Sequence, residues 1–144
     1  MSLREVSDEL LRVNGAMMNH IGFQSIETYD RELQRLKVAF MVRPEFCHSA
    51  GRIAQGGFVT AWLDAAMAHV VLLDSRGTEN IASLEIKVSF IAAVAPGPVV
   101  AESHIVKKGK RIAFLESNLF DLKGKLLASA TQTAMLTAMP SSAK

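Results

Sequence analysis

Hydrophobic positions recur along this chain at two periods. Leu3, Val6, Leu10, Leu11, Val13 and Met17 fall at helical spacing with charges between them, which predicts a helix over 3–19 that Gly22 breaks. Leu36, Val38, Phe40 and Val42 then alternate with Lys37, Ala39, Met41 and Arg43, a strand period. Residues 23–43 therefore read as two strands or one bent strand, ended by Pro44, with a loop over 45–56. From Gly57 to Asp74 the apolar residues point in every direction, the pattern of a buried helix. Four strand-like segments follow, at about 79–93, 98–108, 111–122 and 125–138. Leu84, Ile86, Val88 and Phe90 alternate with Ser83, Glu85, Lys87 and Ser89 in the first of them. Pro96-Gly97-Pro98, Lys108-Gly109-Lys110 and Lys123-Gly124-Lys125 supply the turns. Turns this short imply antiparallel pairing. The fold class expected is α+β, an antiparallel sheet curling around one apolar helix. One domain over 1–144 is expected, with residues 1–21 as an N-terminal helical region and 139–144 as a frayed tail.

Composition narrows the function. Hydrophobic residues at 49% and charged residues at 21% exclude intrinsic disorder. A net charge of +2 and 6% aromatics argue against a nucleic-acid partner. The single cysteine, Cys47, excludes an internal disulfide and a cysteine-based metal cluster, and fits a reducing, cytoplasmic setting. No stretch reaches the roughly 18 uninterrupted apolar residues of a membrane span, so no membrane partner is expected. Charges at Arg4, Glu5, Asp8, Glu9 and Arg12 do not fit a signal peptide.

Chemistry concentrates around the apolar helix. Gln55-Gly56-Gly57 stands at its start, where two glycines leave backbone N–H groups open to close approach. Together with the helix dipole they form an anion site able to hold an oxyanion, although such a pair also serves tight packing. Asp64 lies in the middle of the same helix, between Leu63 and Ala65. A carboxylate there must be paired or hydrogen-bonded, and no Lys or Arg shares the helix; Thr60 lies one turn earlier on its face. The bland alternative is an Asp on the helix's one wet edge. Cys47 and His48 are loop neighbours and do not read as a nucleophile and its base. His20, His48, His69 and His104 lack metal-ligand spacing, and His69 reads as a hydrogen-bonded core residue. Lys107, Lys108, Lys110 and Arg111 around Gly109 are either a solvated turn or a phosphate clamp.

These segments resemble the hotdog-fold acyl-CoA thioesterases, in the branch of the phenylacetyl-CoA and 4-hydroxybenzoyl-CoA thioesterases. The residues that carry the resemblance are Gln55-Gly56-Gly57 with Leu63-Asp64, the run Ser83 to Phe90, the run Lys108 to Phe114, and Gly124 to Ala128 leading into Thr131-Gln132-Thr133. The resemblance covers roughly residues 35–138. It implies a curved antiparallel sheet around the helix, pairing into dimers or tetramers, and hydrolysis of an acyl-CoA with no cofactor beyond the substrate's own coenzyme A. By resemblance, Asp64 is the catalytic carboxylate, Gly56 the oxyanion donor with Gln55 beside it, and Ser83 the holder of the attacking water. Ser49, Gly57, Thr60, Lys108, Lys110 and Arg111 are expected on the substrate. Two departures stand out: Gln55 replaces the usual His, and Ser49 an Asn or Gln. A non-catalytic acyl-CoA or small-ligand binding protein, or a dehydratase or isomerase on the same fold, is the alternative.

One geometric expectation is independent of family. Gly56 and Asp64 are eight residues apart, about 12 Å along a helix. A donor and a base must both lie within roughly 3 Å of the reacting group. The site is therefore expected to be shared by two chains whose helices run antiparallel across a two-fold axis.

Overall fold

A computed structural model describes residues 2–139. Its elements in chain order are α1 (Leu3–His20), β1 (Phe23–Asp30), β2 (Arg35–Val42), a turn of 3-10 helix (Pro44–Phe46), β3 (Cys47–His48), β4 (Ile53–Ala54), α2 (Gly56–Asp74), β5 (Glu79–Phe90), β6 (Gly97–Lys108), β7 (Ile112–Asp121) and β8 (Leu126–Ala138). Of the tail predicted over 139–144, residues 140–144 lie outside the described residues, while Met139 N–H donates to Thr78 O at 2.9 Å. Residues 23–43 resolve into two strands rather than one bent strand, and the 45–56 loop holds a two-strand hairpin. The helix begins one residue before the expected Gly57, because Gln55 caps it.

Six strands form one sheet in the order β1-β2-β6-β7-β8-β5, with every neighbouring pair antiparallel. Period-2 burial selects the face turned to α2: Leu36, Val38, Phe40 and Val42 on β2, Val99, Ala101, Ser103 and Ile105 on β6, Ala113, Leu115, Ser117 and Leu119 on β7. Alanines on the central strands leave room for the helix to lie close. Trp62, Leu63, Ala66, Met67 and Val70 of α2 are fully buried against that face. Two of the polar atoms this buries are satisfied, Trp62 Nε1 donating to Ile21 O at 2.6 Å and Ser103 Oγ to Ala66 O at 2.7 Å, whereas Ser117 Oγ finds no partner among the described residues. At the helix's other end Arg31 donates to the carbonyls of Leu73 and Asp74 at 3.1 and 3.2 Å, adding to the backbone bond that Leu73 O accepts from Arg76 N at 3.1 Å.

With 19 residues, α2 is long and apolar enough by composition to cross a membrane, although polar residues interrupt its apolar run. Here it is the core helix. It differs from the sequence expectation in one respect: its own chain does not enclose it. Ala61, Asp64, Ala65, Ala68 and Leu72 remain partly exposed, because the sheet wraps only the opposite side. The same flank carries the edge strand β5, whose Leu84 and Phe90 are 57% and 58% exposed.

β5 also departs from simple alternation. Ser83 pairs with Ala134 and Glu85 with Thr133, so a bulge falls at Leu84. Ile86, Val88 and Phe90 pair with the inward residues Gln132, Ala130 and Ala128. Ser83 therefore faces the helix together with Ile86, Val88 and Phe90, although even spacing would place it on the opposite face.

His69 sits on the buried side of α2, 5% exposed and edge-on to Phe23 at 6.3 Å, and its Nδ1 finds no partner among the described residues. It is a core residue as expected, but not a hydrogen-bonded one at that nitrogen. Burial pushes its pKa down from 6.5 to about 4. The unfolded chain then takes up this proton near pH 6.5 and the folded chain only near pH 4. The stabilisation is intact above the upper value and is lost as pH falls through this window, by about 3 kcal/mol in all. Urea unfolding of His69→Leu between pH 7 and 4.5 is expected to show a flatter dependence on pH than the parent protein. Equal slopes would refute it.

Candidate active site

Asp64 projects from α2 toward β5 and β8. Its Oδ1 accepts from Ser83 Oγ at 3.1 Å and from Gln132 Nε2 at 2.6 Å, and Gln132 Nε2 also reaches Ser83 Oγ at 2.8 Å. The three side chains close a triangle drawn from three elements. Both donors fall on Oδ1, and among the described residues nothing hydrogen-bonds Oδ2. The carboxylate is thus fixed in orientation with one oxygen unoccupied. This answers how the apolar helix tolerates an Asp: the sheet supplies donors, and no cation is involved.

Gln132 was absent from the residues the sequence nominated as a site. It is 3% exposed, and its Oε1 has no partner among the described residues. The signal was present in β8, where Ala128, Ala130, Gln132 and Ala134 form the inward row and Gln132 is its one polar member. A buried amide on an apolar row demands a partner.

A second group assembles at the start of α2. Gln55 is the N-cap, its Oε1 accepting from Gly57 N at 2.7 Å, while its backbone N–H donates to Phe46 O at 2.9 Å. A Cβ on Gly57 would lie 2.6 Å from that Oε1, so glycine is what allows this cap. Gly57 N–H is thereby used, whereas nothing among the described residues hydrogen-bonds the Gly56 N–H. A Cβ on Gly56 would meet the Phe90 ring at 3.2 Å. Beside Gly56 opens a cavity of about 320 Å³, lined by apolar residues of β4, α2 and the β5–β6 connection, with His48 at its edge.

The remaining nominated residues are placed as follows. Thr60 Oγ1 donates to Gly56 O at 2.8 Å, within its own helix. Ser49 is exposed in the β3–β4 turn at φ +56°, its hydroxyl 2.8 Å from His48 Nδ1 and its carbonyl accepting from Arg52 Nε at 3.0 Å. His48 thus faces Ser49 rather than Cys47, whose thiol burial pushes up. Lys108 separates from the basic cluster. Its Nζ lies 3.1 Å from Asp74 and 2.7 Å from Glu79, which ties the β6–β7 hairpin to the end of α2. Lys107, Lys110 and Arg111 stay exposed around a groove of about 330 Å³ that also includes Phe114. Among the described residues no three His, Cys, Asp or Glu side chains come together to hold a metal ion.

The chain therefore carries two separate groups of candidate residues on one helix. An unused N–H and an apolar cavity stand at its first turn, and an oriented carboxylate stands about 12 Å further on.

Comparison with known proteins bears on both fold and class. The sequence profile of the thioesterase superfamily matches residues 52–128, a span that holds Gln55, Gly56, Asp64, Ser83 and the basic hairpin. An inferred esterase of Saccharolobus solfataricus is 28% identical over 133 residues, 92% of this chain and 84% of its own. Among solved structures, an inferred thioesterase described as phenylacetic acid degradation-related, from Ralstonia eutropha, superposes with a TM-score of 0.76 at 25% identity, covering 83% of this chain and 89% of its own. A Streptococcus mutans protein solved with acetyl-CoA bound shares the fold, with a TM-score of 0.71 at 14% identity over 83% of this chain and 92% of its own. One buried helix wrapped by a six-stranded antiparallel sheet is the hotdog architecture, and with the profile matching over half its length this chain belongs to the thioesterase superfamily.

Proposed function

We propose that the protein hydrolyses acyl-CoA thioesters, in two equivalent sites formed between paired chains. The observation that carries this reading is the pair of unused groups on α2, the Gly56 N–H and Asp64 Oδ2. They have the chemistry of acyl transfer but are too far apart to serve one carbonyl. A two-fold axis that sets two α2 helices antiparallel brings the first turn of each against the middle of the other. Each site then takes Gly56 from one chain and Asp64 from its partner. The partly exposed flank of α2 and the unpaired edge of β5 lie on one side of the molecule and support such pairing. Acetyl-CoA in the Streptococcus mutans protein of the same fold supports a CoA thioester as ligand.

The chemistry follows from those groups. The thioester carbonyl sits on the Gly56 N–H, with the Gln55 amide N–H₂ near by. Asp64 Oδ2 takes a proton from water as the water oxygen bonds to the carbonyl carbon. The oxyanion forms at the helix N-terminus, where backbone N–H and dipole favour negative charge. Its collapse breaks the carbon–sulfur bond, the thiolate of CoA receives a proton, and the carboxylic acid departs. Asp64 attacking directly, through a mixed anhydride that water then opens, uses the same oxygen. Ser83 and Gln132 hold the carboxylate in either route. Lys107, Lys110 and Arg111 meet the phosphates of CoA, while Lys108 anchors their hairpin. The free thiol of Cys47 fits a cytoplasmic enzyme.

Four outcomes test this. Asp64→Asn keeps shape and hydrogen bonding but loses the base, and kcat is expected to fall by about 100-fold or more. Mixing Asp64→Ala chains with chains bearing a bulky residue at Gly56 is expected to give heterodimers with as much as half the activity of the wild-type dimer, about a quarter for the randomly exchanged mixture, since each heterodimer rebuilds one complete site. Confirmed exchange of folded chains without recovery would remove the shared site, and CoA-ester binding with no turnover in the wild type would favour a carrier. Gln132→Leu is expected to lower kcat about tenfold with KM within twofold, the split for a group that orients the base rather than binding substrate. Paired Lys110→Gln and Arg111→Gln changes should raise KM several-fold at low salt with kcat nearly intact. An unchanged KM would return the hairpin to an ordinary solvated turn.

A further inference from the structure

We infer that the cavity beside Gly56 is the acyl pocket, and that it selects an apolar acyl chain of medium length. The inference rests on the hydrolase reading above and adds the substrate class to it. Ile53, Ala54, Val59, Val94 and Leu127 wall the cavity, and Phe90 stands at the same end of α2, its ring against Gly56. His48 is the one polar side chain on the lining.

Direction follows from position. The carbonyl oxygen must reach the Gly56 N–H, and Gly56 is itself part of the cavity wall. One substituent of that carbonyl therefore enters the cavity. The two substituents differ in chemistry. Pantetheine carries two amides and a hydroxyl, which this wall could satisfy with one imidazole and little else among its side chains. An alkyl or aryl chain needs no partner and gains from leaving water, about 0.8 kcal/mol per methylene. The acyl side is the one that fits.

Size sets the range. The cavity of about 320 Å³ is at the lower end for ligand pockets. A methylene is close in size to a water, whose share of liquid volume is about 30 Å³, so the space takes on the order of ten such groups. Val59 closes the cavity from α2, and Ala93 lines it from the exposed connection between β5 and β6. Enlarging either side chain shortens the space without touching Asp64, Ser83 or Gln132.

The test is kcat/KM over a series of straight-chain CoA esters from acetyl to dodecanoyl, for the wild type, Ala93→Phe and Val59→Leu. The wild type is expected to gain at least tenfold from acetyl to octanoyl and nothing further by dodecanoyl. In Ala93→Phe the octanoyl-to-acetyl ratio is expected to fall at least tenfold, with a smaller fall in the same direction for Val59→Leu. Ala93 is exposed, so its variant folds even if the buried Val59 position proves intolerant. A fall common to every chain length would place pantetheine in the cavity and overturn the inference, as would a flat wild-type profile. Wild-type protein that binds but hydrolyses none of the esters would strike at the hydrolase reading instead. The pocket is then read from the dissociation constants of non-hydrolysable CoA alkyl ketones over the same lengths, where absence of chain-length dependence overturns it.

Discussion

A carboxylate in the middle of an apolar helix has to be hydrogen-bonded from whatever the helix packs on. That requirement ties the helix to one register of the sheet. Gln132 reaches Asp64 because β8 pairs Gln132 with Leu115 on one side and with Ile86 on the other, which turns it inward. A one-residue slip of β8 would send Gln132 outward and leave Thr131 or Thr133 facing the helix, each too short to replace it. Hydrogen bonds to a charged group contribute about 1.5–3 kcal/mol each, so the polar triangle adds to the specificity of a strand, β8, whose other inward positions Ala128, Ala130 and Ala134 are all alanine.

The bulge at Leu84 belongs to the same requirement. Without it β5 could present either Ser83 or the row Ile86, Val88 and Phe90 to the helix, but not both. One extra residue reverses the parity, so the hydroxyl joins Asp64 while the apolar row covers the N-terminal half of α2. Phe90, at the end of that row, is the residue whose ring closes on Gly56. The polar and apolar ends of the candidate site thus depend on a single irregularity in one edge strand.

The architecture was legible in the chain because its signals are periodic. Alternation in β2 and the all-round apolar run of α2 specify strand and helix, and Lys-Gly-Lys turns specify antiparallel order. Asp64 and Gly56 were legible because each violates its surroundings: a charge among alkyl groups, and a glycine pair opening a helix. Three things were not. The bulge leaves no mark on the alternation of residues 83–90, which reads as unbroken. Gln132 hid inside a Thr-Gln-Thr run that looks uniformly polar until β8 is split into its two faces. Lys108 read as one of four equivalent cations, and only the return of the hairpin to the end of α2 brings it between Asp74 and Glu79. The bulge and the partners of Lys108 are long-range relations, about which local periodicity carries no information, whereas the inward place of Gln132 is within reach of the period-2 pattern of β8.

The replacement of the usual His by Gln55 follows from the cap it makes. Gly57 N–H needs an acceptor, and Gln55 supplies Oε1 at 2.7 Å. An amide that accepts through its oxygen turns its N–H₂ away from the helix start, so the outward end of Gln55 is a donor. A neutral imidazole accepting at one nitrogen leaves an N–H at the other and presents the same polarity. The two side chains are thus interchangeable as caps that hold a donor beside the first helical N–H. They differ in titration: an imidazole that gains a proton loses its acceptor and with it the cap, whereas an amide holds this arrangement at every pH the fold survives. Gln55 makes the start of α2 a fixed donor array, and in the proposed mechanism proton transfer then falls to Asp64.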